Sequence, residues 1–253
     1  MNPLSQPGWS ATHTYKTRNK NTLIQQSIIP SLTGCPQTNQ QPLTNISETT
    51  PMDLLHYGIK HGNTLAKKNN NLVRIISQNI NGLPLKKLDP KSHQCFSFLQ
   101  NNRLYDVALW QEIKLFWPEI PLDLQWKHRS KSPAFKTQLS YNKMEQQDSP
   151  HQQGGTATVI SAALTPRCSI SGADELGRWS WIKLESDKPI YMVSVYCPCT
   201  LSEVGSTFQQ HCRQLPPSIN PRDSFLTDLV KSIKEWHTQG ASCIIGGDFN
   251  HDI

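Results

Sequence analysis

From residue 72 onward the chain is punctuated by six short apolar runs, each too short for anything but a strand and each closed by a polar or glycine-rich step. They are LVRIIS (72–77), DVALW (106–110), GGTATVIS (154–161), RWSWIKLE (178–185), KPIYMVSVY (188–196) and ASCIIGG (241–247). Runs of this length, rich in Val, Ile and aromatic residues, are strands of a sheet with both faces covered. One segment between them has helical spacing: PRDSFLTDLVKSIKEWHTQG, 221–240. There Phe225, Leu229 and Ile233 recur every four residues, Pro221 and Asp223 suit the start, and Gly240 suits the stop. HQCFSFLQNNR, with Phe96 and Leu99 on one face, is a second helix candidate, and Lys127–Gln153 is a long polar surface loop. Mixed strands with covering helices make an α/β (α+β) domain.

Residues 1–70 differ in texture. Stretches such as CPQTNQQPLTNISETTP carry too little apolar area to offset ordering entropy, so this segment is expected to be a disordered tail preceding a domain at 71–253. Its one apolar island, MDLLHYGI (52–59), is a short docking-helix candidate. Hydrophobic residues make up 36% of the whole chain, and about 41% with glycine against an ordinary 45–50%, as expected when a polar tail dilutes a normal domain. The net charge is +6, and the tail holds six basic side chains against Glu48 and Asp53. Such a tail attracts polyanions by counterion release, or simply solubilises the chain. Seven cysteines (Cys35, Cys95, Cys168, Cys197, Cys199, Cys212, Cys243) without a C-x-x-C pair or a secretory leader read as reduced thiols of an intracellular protein, nuclear or cytoplasmic. No apolar run approaches the length of a membrane helix, so no membrane role is expected.

The residues just past these strands carry the chemistry. LVRIIS runs into Gln78-Asn79-Ile80-Asn81-Gly82, DVALW into Gln111-Glu112, IYMVSV into Tyr196-Cys197-Pro198, and SCIIGG into Asp248-Phe249-Asn250. Singly, each step has a plain structural reading as a turn, a hairpin signal or a packing residue. If the four strand ends share one sheet edge, Asn79, Glu112, Tyr196, Asp248 and Asn250 converge on one crevice. Carboxylates and amides without a histidine or cysteine set suit Mg²⁺, with Mn²⁺ as a substitute, rather than zinc. Metal-assisted attack of water on a phosphoester fits these residue types. In it Asp248 orients or deprotonates the water, while Asn250 and Tyr196 hydrogen-bond the phosphate.

The order of these motifs resembles the endonuclease/exonuclease/phosphatase superfamily of DNase-type and apurinic-site nucleases, over about Leu72 to Ile253. SQNINGL is similar to the first-strand motif and implies that Asn79 lies at the metal and that Asn81, where some members carry aspartate, binds substrate. LWQE implies Glu112 as metal ligand, VYCP implies Tyr196 as a phosphate-contacting phenol, and GGDFN implies Asp248 and Asn250 as water-orienting carboxylate and transition-state amide. The implied fold is a two-layer β-sandwich flanked by helices, DNase-like. The GGTATVI strand and the PRDSFLTDL helix look most like the endonuclease domain of a non-LTR retrotransposon polyprotein, which implies DNA as partner.

The chain departs from the pattern at Cys199, where apurinic-type members usually have Asn. The family's closing Ser-Asp-His motif is not reached by Ile253, so the sandwich is expected to lack its last strands and activity to be weak or absent. His251 and Asp252 lie too early to replace that motif. The alternatives are a phosphoesterase of the same superfamily acting on lipid or small phosphates, and a non-catalytic nucleic-acid-binding remnant.

Overall fold

The computed structural model describes residues 25–30, 72–86, 89–92, 95, 105–129, 135–145, 148–200 and 204–250. The 52–59 island, most of the second helix candidate and nearly all of the tail lie outside these residues. Among the described residues nine strands form two mixed sheets. The first contains β1 (Gln25–Pro30), β2 (Leu72–Asn79), β3 (Val107–Gln111), β4 (Lys136–Ser140) and β5 (Thr156–Ile160), in the order β1-β2-β3-β5-β4. The second contains β6 (Cys168–Ala173), β7 (Trp179–Leu184), β8 (Ile190–Tyr196) and β9 (Ser242–Asp248), in sequence order. Within each sheet one pair is parallel: β2 with β3, matching Asn79 to Gln111, and β8 with β9, matching Tyr196 to Asp248.

All six expected strands form. Three more lack a sustained apolar run, and one of them, β1, is a strand at 25–30 within the segment expected to be a disordered tail, held by its backbone pairing with β2. β1 pairs antiparallel with β2, and β6 pairs antiparallel with β7. β4 corrects the expectation of a bare surface loop at Lys127–Gln153. KTQLS has no apolar run, yet its backbone completes the edge of β5, and Ser140 is buried on the Thr156 and Gly177 side. Polar strands are invisible to hydrophobic patterning because backbone hydrogen bonds, not side-chain burial, hold them.

Each strand obeys a period of two, and this divides the interior into three layers. Val73, Ile75, Val107, Leu109, Ile160, Ile182, Leu184 and Met192 fill the space between the sheets. The alternate residues face outward. Ile76, Trp110 and Val159 pack beneath the 113–126 segment, through Ile113, Trp117 and Trp126, the last of which opens the one-turn helix α1 (Trp126–Arg129). On the other side Trp179, Tyr191, Val193 and Val195 are covered by Phe225, Leu229 and Trp236 of α3 (Pro221–Thr238). That helix matches its sequence signals: Asn220 caps it by accepting the Arg222 N–H, Pro221 opens it, and Gly240 turns the chain at φ +76°.

Toward the carboxyl ends of the parallel pairs the layer between the sheets changes from apolar to polar. Gln111 Nε2 donates to Ser194 Oγ at 3.0 Å, to Ser77 Oγ at 3.3 Å and to its own strand at the Leu109 carbonyl. Ser194 donates to the Trp110 carbonyl across the sheets. Polar groups packed this way are tolerated only when satisfied, and then they fix the register of the two sheets.

Helix α2 (Thr207–Gln214), capped by Ser206, docks through His211, which is fully buried with Nε2 3.0 Å from the Leu176 carbonyl. Burial pushes this imidazole down to about 4. Because the folded group is depressed below its unfolded value, its contribution is complete above about pH 6.5 and is lost as pH falls toward 4. Urea unfolding at pH 7 and pH 4.5 should show a loss of about 2 kcal/mol from this group. His211→Gln, which keeps a donor for the carbonyl but cannot titrate, should remove that part of the pH dependence.

Candidate active site

Inward parity explains why four chemistry-bearing residues meet. Val73, Ile75, Ser77 and Asn79 alternate on β2, Met192, Ser194 and Tyr196 on β8, and Ile244, Gly246 and Asp248 on β9, with each polar residue falling last. Glu112 follows the inward Gln111 of β3. The two glycines of GGD let β9 close on its neighbours. A Cβ on Gly246 would stand 2.8 Å from Leu109 Cδ1 and 3.0 Å from Ser77 Cβ of the facing sheet. A Cβ on Gly247 would strike the Val195 carbonyl.

The sheets are joined at this edge by side chains. Asn79 Nδ2 donates to Asp248 Oδ2 at 2.8 Å, and the Asn250 N–H donates to Asp248 Oδ1 at 3.0 Å, so both carboxylate oxygens are held. Asn250 Nδ2 donates to the Cys197 carbonyl at 2.6 Å. Asn79 Oδ1 accepts from the Asn81 N–H at 2.9 Å. Tyr196 is buried, with its phenol beside Glu112 and Cys199. Burial, then the Glu112 and Cys199 charges, push its phenol far above the ordinary tyrosine range. Tyr196 therefore stays protonated and keeps its O–H available as a donor. Cys199 is pushed up by burial and by Asp248 and Glu112, so it stays a neutral thiol.

The structure thus brings Asn79, Asn81, Glu112, Tyr196, Asp248 and Asn250 to one edge, and it adds three cations that no sequence motif singles out. Lys114 Nζ lies 2.9 Å from Glu112 Oε2 and 2.5 Å from Asn81 Oδ1. Lys91 Nζ donates to the Asn81 carbonyl at 2.9 Å. Burial, assisted by the Lys114 charge, holds Lys91 below the ordinary lysine range. Arg222 Nη1 donates to the carbonyls of Pro198 and Asn250, tying the turn after β9 to the end of β8. The only sequence signal for Lys114 was its place two residues after Glu112.

Backbone strain marks the same edge. Among the described residues the non-glycine positive-φ positions are Asn81 (47°), Glu112 (52°), Lys114 (58°) and Asn250 (46°), all in this cluster. Asparagine enters that region readily, but Glu and Lys do so only when their surroundings hold them, at roughly 1–3 kcal/mol each. Here the Ile113 and Lys114 N–H groups are pinned by the Gly155 and Gly154 carbonyls, and the Glu112 carbonyl accepts from Gly82 N–H. Those glycines are themselves at positive φ, and a Cβ on Gly155 would meet the Ser140 carbonyl at 2.9 Å.

Among the described residues no three His, Cys, Asp or Glu side chains are grouped to hold a metal. The donor set is instead two carboxylates with amide oxygens, which suits a hard cation that retains much of its water. A cation is indeed drawn to these oxygens, since the Lys114 ammonium bridges Glu112 and Asn81. Glu112, with Asn79 or Asn81, would hold Mg²⁺ there.

The two-layer sandwich with this polar edge has a counterpart at the level of sequence. The model of the endonuclease/exonuclease/phosphatase family matches residues 76–252, and the chain belongs to that family. Solved structures with a similar fold include the Xenopus laevis APE2 catalytic domain, 18% identical over 70% of this chain, TM-score 0.46. The Leishmania major AP endonuclease LMAP is 18% identical over 70% of this chain, TM-score 0.48. D. rerio TDP2 complexed with single-strand DNA product is 16% identical over 72%, TM-score 0.44. The chain spans 58%, 54% and 62% of those three chains. No curated protein sequence matches it. Among the described residues no helix is long and apolar enough to cross a membrane.

Proposed function

We propose that the chain is a Mg²⁺-dependent phosphodiesterase that cuts DNA, of the kind carried by non-LTR retrotransposons. The observation that carries the reading is the junction of Glu112, Tyr196, Asn79 and Asp248 across two sheets, within a family of phosphoester hydrolases. Mg²⁺, when bound, supplies positive charge for the phosphodiester. Asp248, aimed by Asn79 and Asn250, orients the attacking water and accepts its proton. The Asn250 amide, and the Tyr196 hydroxyl by turning its single proton away from Glu112, donate to the phosphate oxygens as charge builds, and Lys91 and Lys114 supply positive potential where the backbone enters. The GGTATVI strand and the PRDSFLTDL helix running into GGDFN support the retrotransposon kinship. A reading frame that continues into a reverse transcriptase would test it.

The purified chain should nick supercoiled plasmid in Mg²⁺, with Mn²⁺ as a substitute, and nicking should cease in EDTA and in Glu112→Gln. Nicking that survives either treatment overturns the metal reading. Release of phosphate from inositol lipids or small esters without plasmid nicking would favour the lipid or small-phosphate alternative. DNA binding without hydrolysis of any of these would favour a binding remnant. Residues 1–70 act in the proposal as a basic tail that adds non-specific affinity. Neutralising its six basic side chains (Lys16, Arg18, Lys20, Lys60, Lys67 and Lys68), which leaves β1 in place, should weaken duplex binding and reduce its salt slope, by about one for every phosphate that the tail had neutralised. An unchanged slope would leave the tail a solubiliser.

A further inference from the structure

Gln152 lies in the polar segment between β4 and β5, yet it is only 2% exposed. Its primary amide is committed to the backbone of one residue. Oε1 accepts the Asn142 N–H at 2.8 Å, and Nε2 donates to the Asn142 carbonyl at 2.8 Å, with a longer bond to the Glu145 carbonyl at 3.4 Å. A neighbouring strand would supply the same donor and acceptor, and the topology explains why a side chain does so here. β4 and β5 pair as far as Ser140 and Thr156. Before Thr156 the chain runs instead along the residues that follow β3. Phe116 N–H donates to the Pro150 carbonyl, Gln152 N–H to the Lys114 carbonyl, Lys114 N–H to the Gly154 carbonyl and Ile113 N–H to the Gly155 carbonyl. These bonds hold the backbone on which Glu112 stands at φ +52°, a conformation that persists only where the surroundings over-determine it. The same segment walls the phenol, since a Cβ on Gly154 would stand 3.5 Å from Tyr196 Cε1. The Gln152 amide ties the segment to the rest of the fold, because Asn142 pairs with Leu176 just before β7 and its Nδ2 donates to Gln214 Oε1 of α2.

We infer that Gln152 is a positioning residue for Glu112. Its amide grips Asn142 and so fixes the 150–155 segment, and that segment holds the strained Glu112 backbone where its carboxylate can meet a divalent ion. The inference rests on the metal reading of Glu112 given above. Groups that orient a ligating side chain commonly govern metal affinity by about 10–100-fold. A buried amide with both ends paired is suited to that task, because losing it leaves the Asn142 N–H without its acceptor and lets the segment shift.

The test is a titration of the full chain with Mn²⁺, reading free Mn²⁺ by electron paramagnetic resonance. Gln152→Met keeps much of the side-chain volume and removes both bonds, and it should weaken Mn²⁺ binding by about tenfold or more. Leu184→Ala is the comparison for plain loss of stability. Leu184 is fully buried in the apolar layer and pairs with Ile190, at the opposite end of β8 from Tyr196. Its truncation should lower the melting temperature but leave Mn²⁺ affinity within about twofold. A loss of affinity in Gln152→Met no larger than in Leu184→Ala overturns the inference. Glu112→Gln separates the two levels. If it leaves Mn²⁺ binding intact, the metal reading itself fails; if it abolishes binding while Gln152→Met changes nothing, only the positioning role fails. A measurement on the unmutated chain decides the case in which Gln152→Met does not fold. By linkage, an ion bound at Glu112 must steady the Asn142 contact as that contact steadies Glu112. Residue-resolved amide exchange should show Mg²⁺ slowing Asn142 together with Ile113 and Lys114, and by a larger factor than Ile182 at the centre of β7. No preferential slowing at Asn142 overturns the inference.

Discussion

Asp248→Ala should slow plasmid nicking in Mg²⁺ by about 10²–10⁴-fold, the usual range for losing a positioned general base. The size follows from how completely the carboxylate is committed. Its two oxygens accept from Asn79 Nδ2 and from Asn250 N–H, which fixes its plane relative to the phosphate position proposed between the sheets. Alanine removes the proton acceptor and also frees the Asn79 amide, which helps define the metal pocket. Asp248→Asn is the sharper probe. It preserves volume, but its amide nitrogen must face one of two donors, and it cannot take a proton. Both variants should retain the two-sheet core, because Asp248 lies at a partly open edge and not among the apolar layers. Nicking rates measured beside thermal melts test this. A rate within tenfold of the unmodified chain, with an unchanged melt, would remove Asp248 from the chemistry.

The strands that carry the site were legible because each buries an apolar run and ends in its one chemistry-bearing residue. LVRIIS-QN, IYMVSVY and SCIIGGD announce both the strand and, by period-two parity, the side on which Asn79, Tyr196 and Asp248 stand. Other features left no such trace. KTQLS became β4 through backbone pairing alone, and CSISGA became an exposed edge strand with a bulge between Cys168 and Ser171. Thr207–Gln214, with its polar sequence, became a helix around the buried His211 and the Ser206 cap. Lys114 and Arg222 entered the site through backbone conformation and carbonyl contacts, which no spacing of residue types encodes. Tyr196 was legible as the polar end of a strand, but its burial beside Glu112 was not, since that depends on how the two sheets pack.

Arg178 ties the second sheet to its covering helix, and Arg178→Met should destabilise the fold by about 3–5 kcal/mol, the cost of breaking a buried ion pair by removing one partner. Arg178 is buried at the start of β7 and forks onto Asp174, with Nε to Oδ2 at 2.8 Å and Nη2 to Oδ1 at 2.9 Å. It reaches α3 through Asp228 and Ser224 and lies 4.7 Å from the Trp179 ring centre. Burial alone would lower its pKa, but the bonds and charges of Asp174 and Asp228 outweigh that and hold it above the ordinary arginine value. Methionine fills much of the volume but leaves Asp174, only 10% exposed, as an unpaired charge. Asp228 is nearly half exposed, so its loss is softened by water. The double variant Arg178→Met with Asp174→Asn should therefore regain a substantial part of the loss, while Arg178→Lys, which cannot fork, should fall between. The effect extends to the site because the Arg178 carbonyl accepts the Tyr196 N–H at 2.7 Å. Loosening β7 there lets the phenol drift from Glu112, so nicking should fall even at temperatures where Arg178→Met is fully folded. Urea unfolding gives the first quantity and nicking below the transition gives the second. A stability change under about 1 kcal/mol would mean that water, not Arg178, balances Asp174.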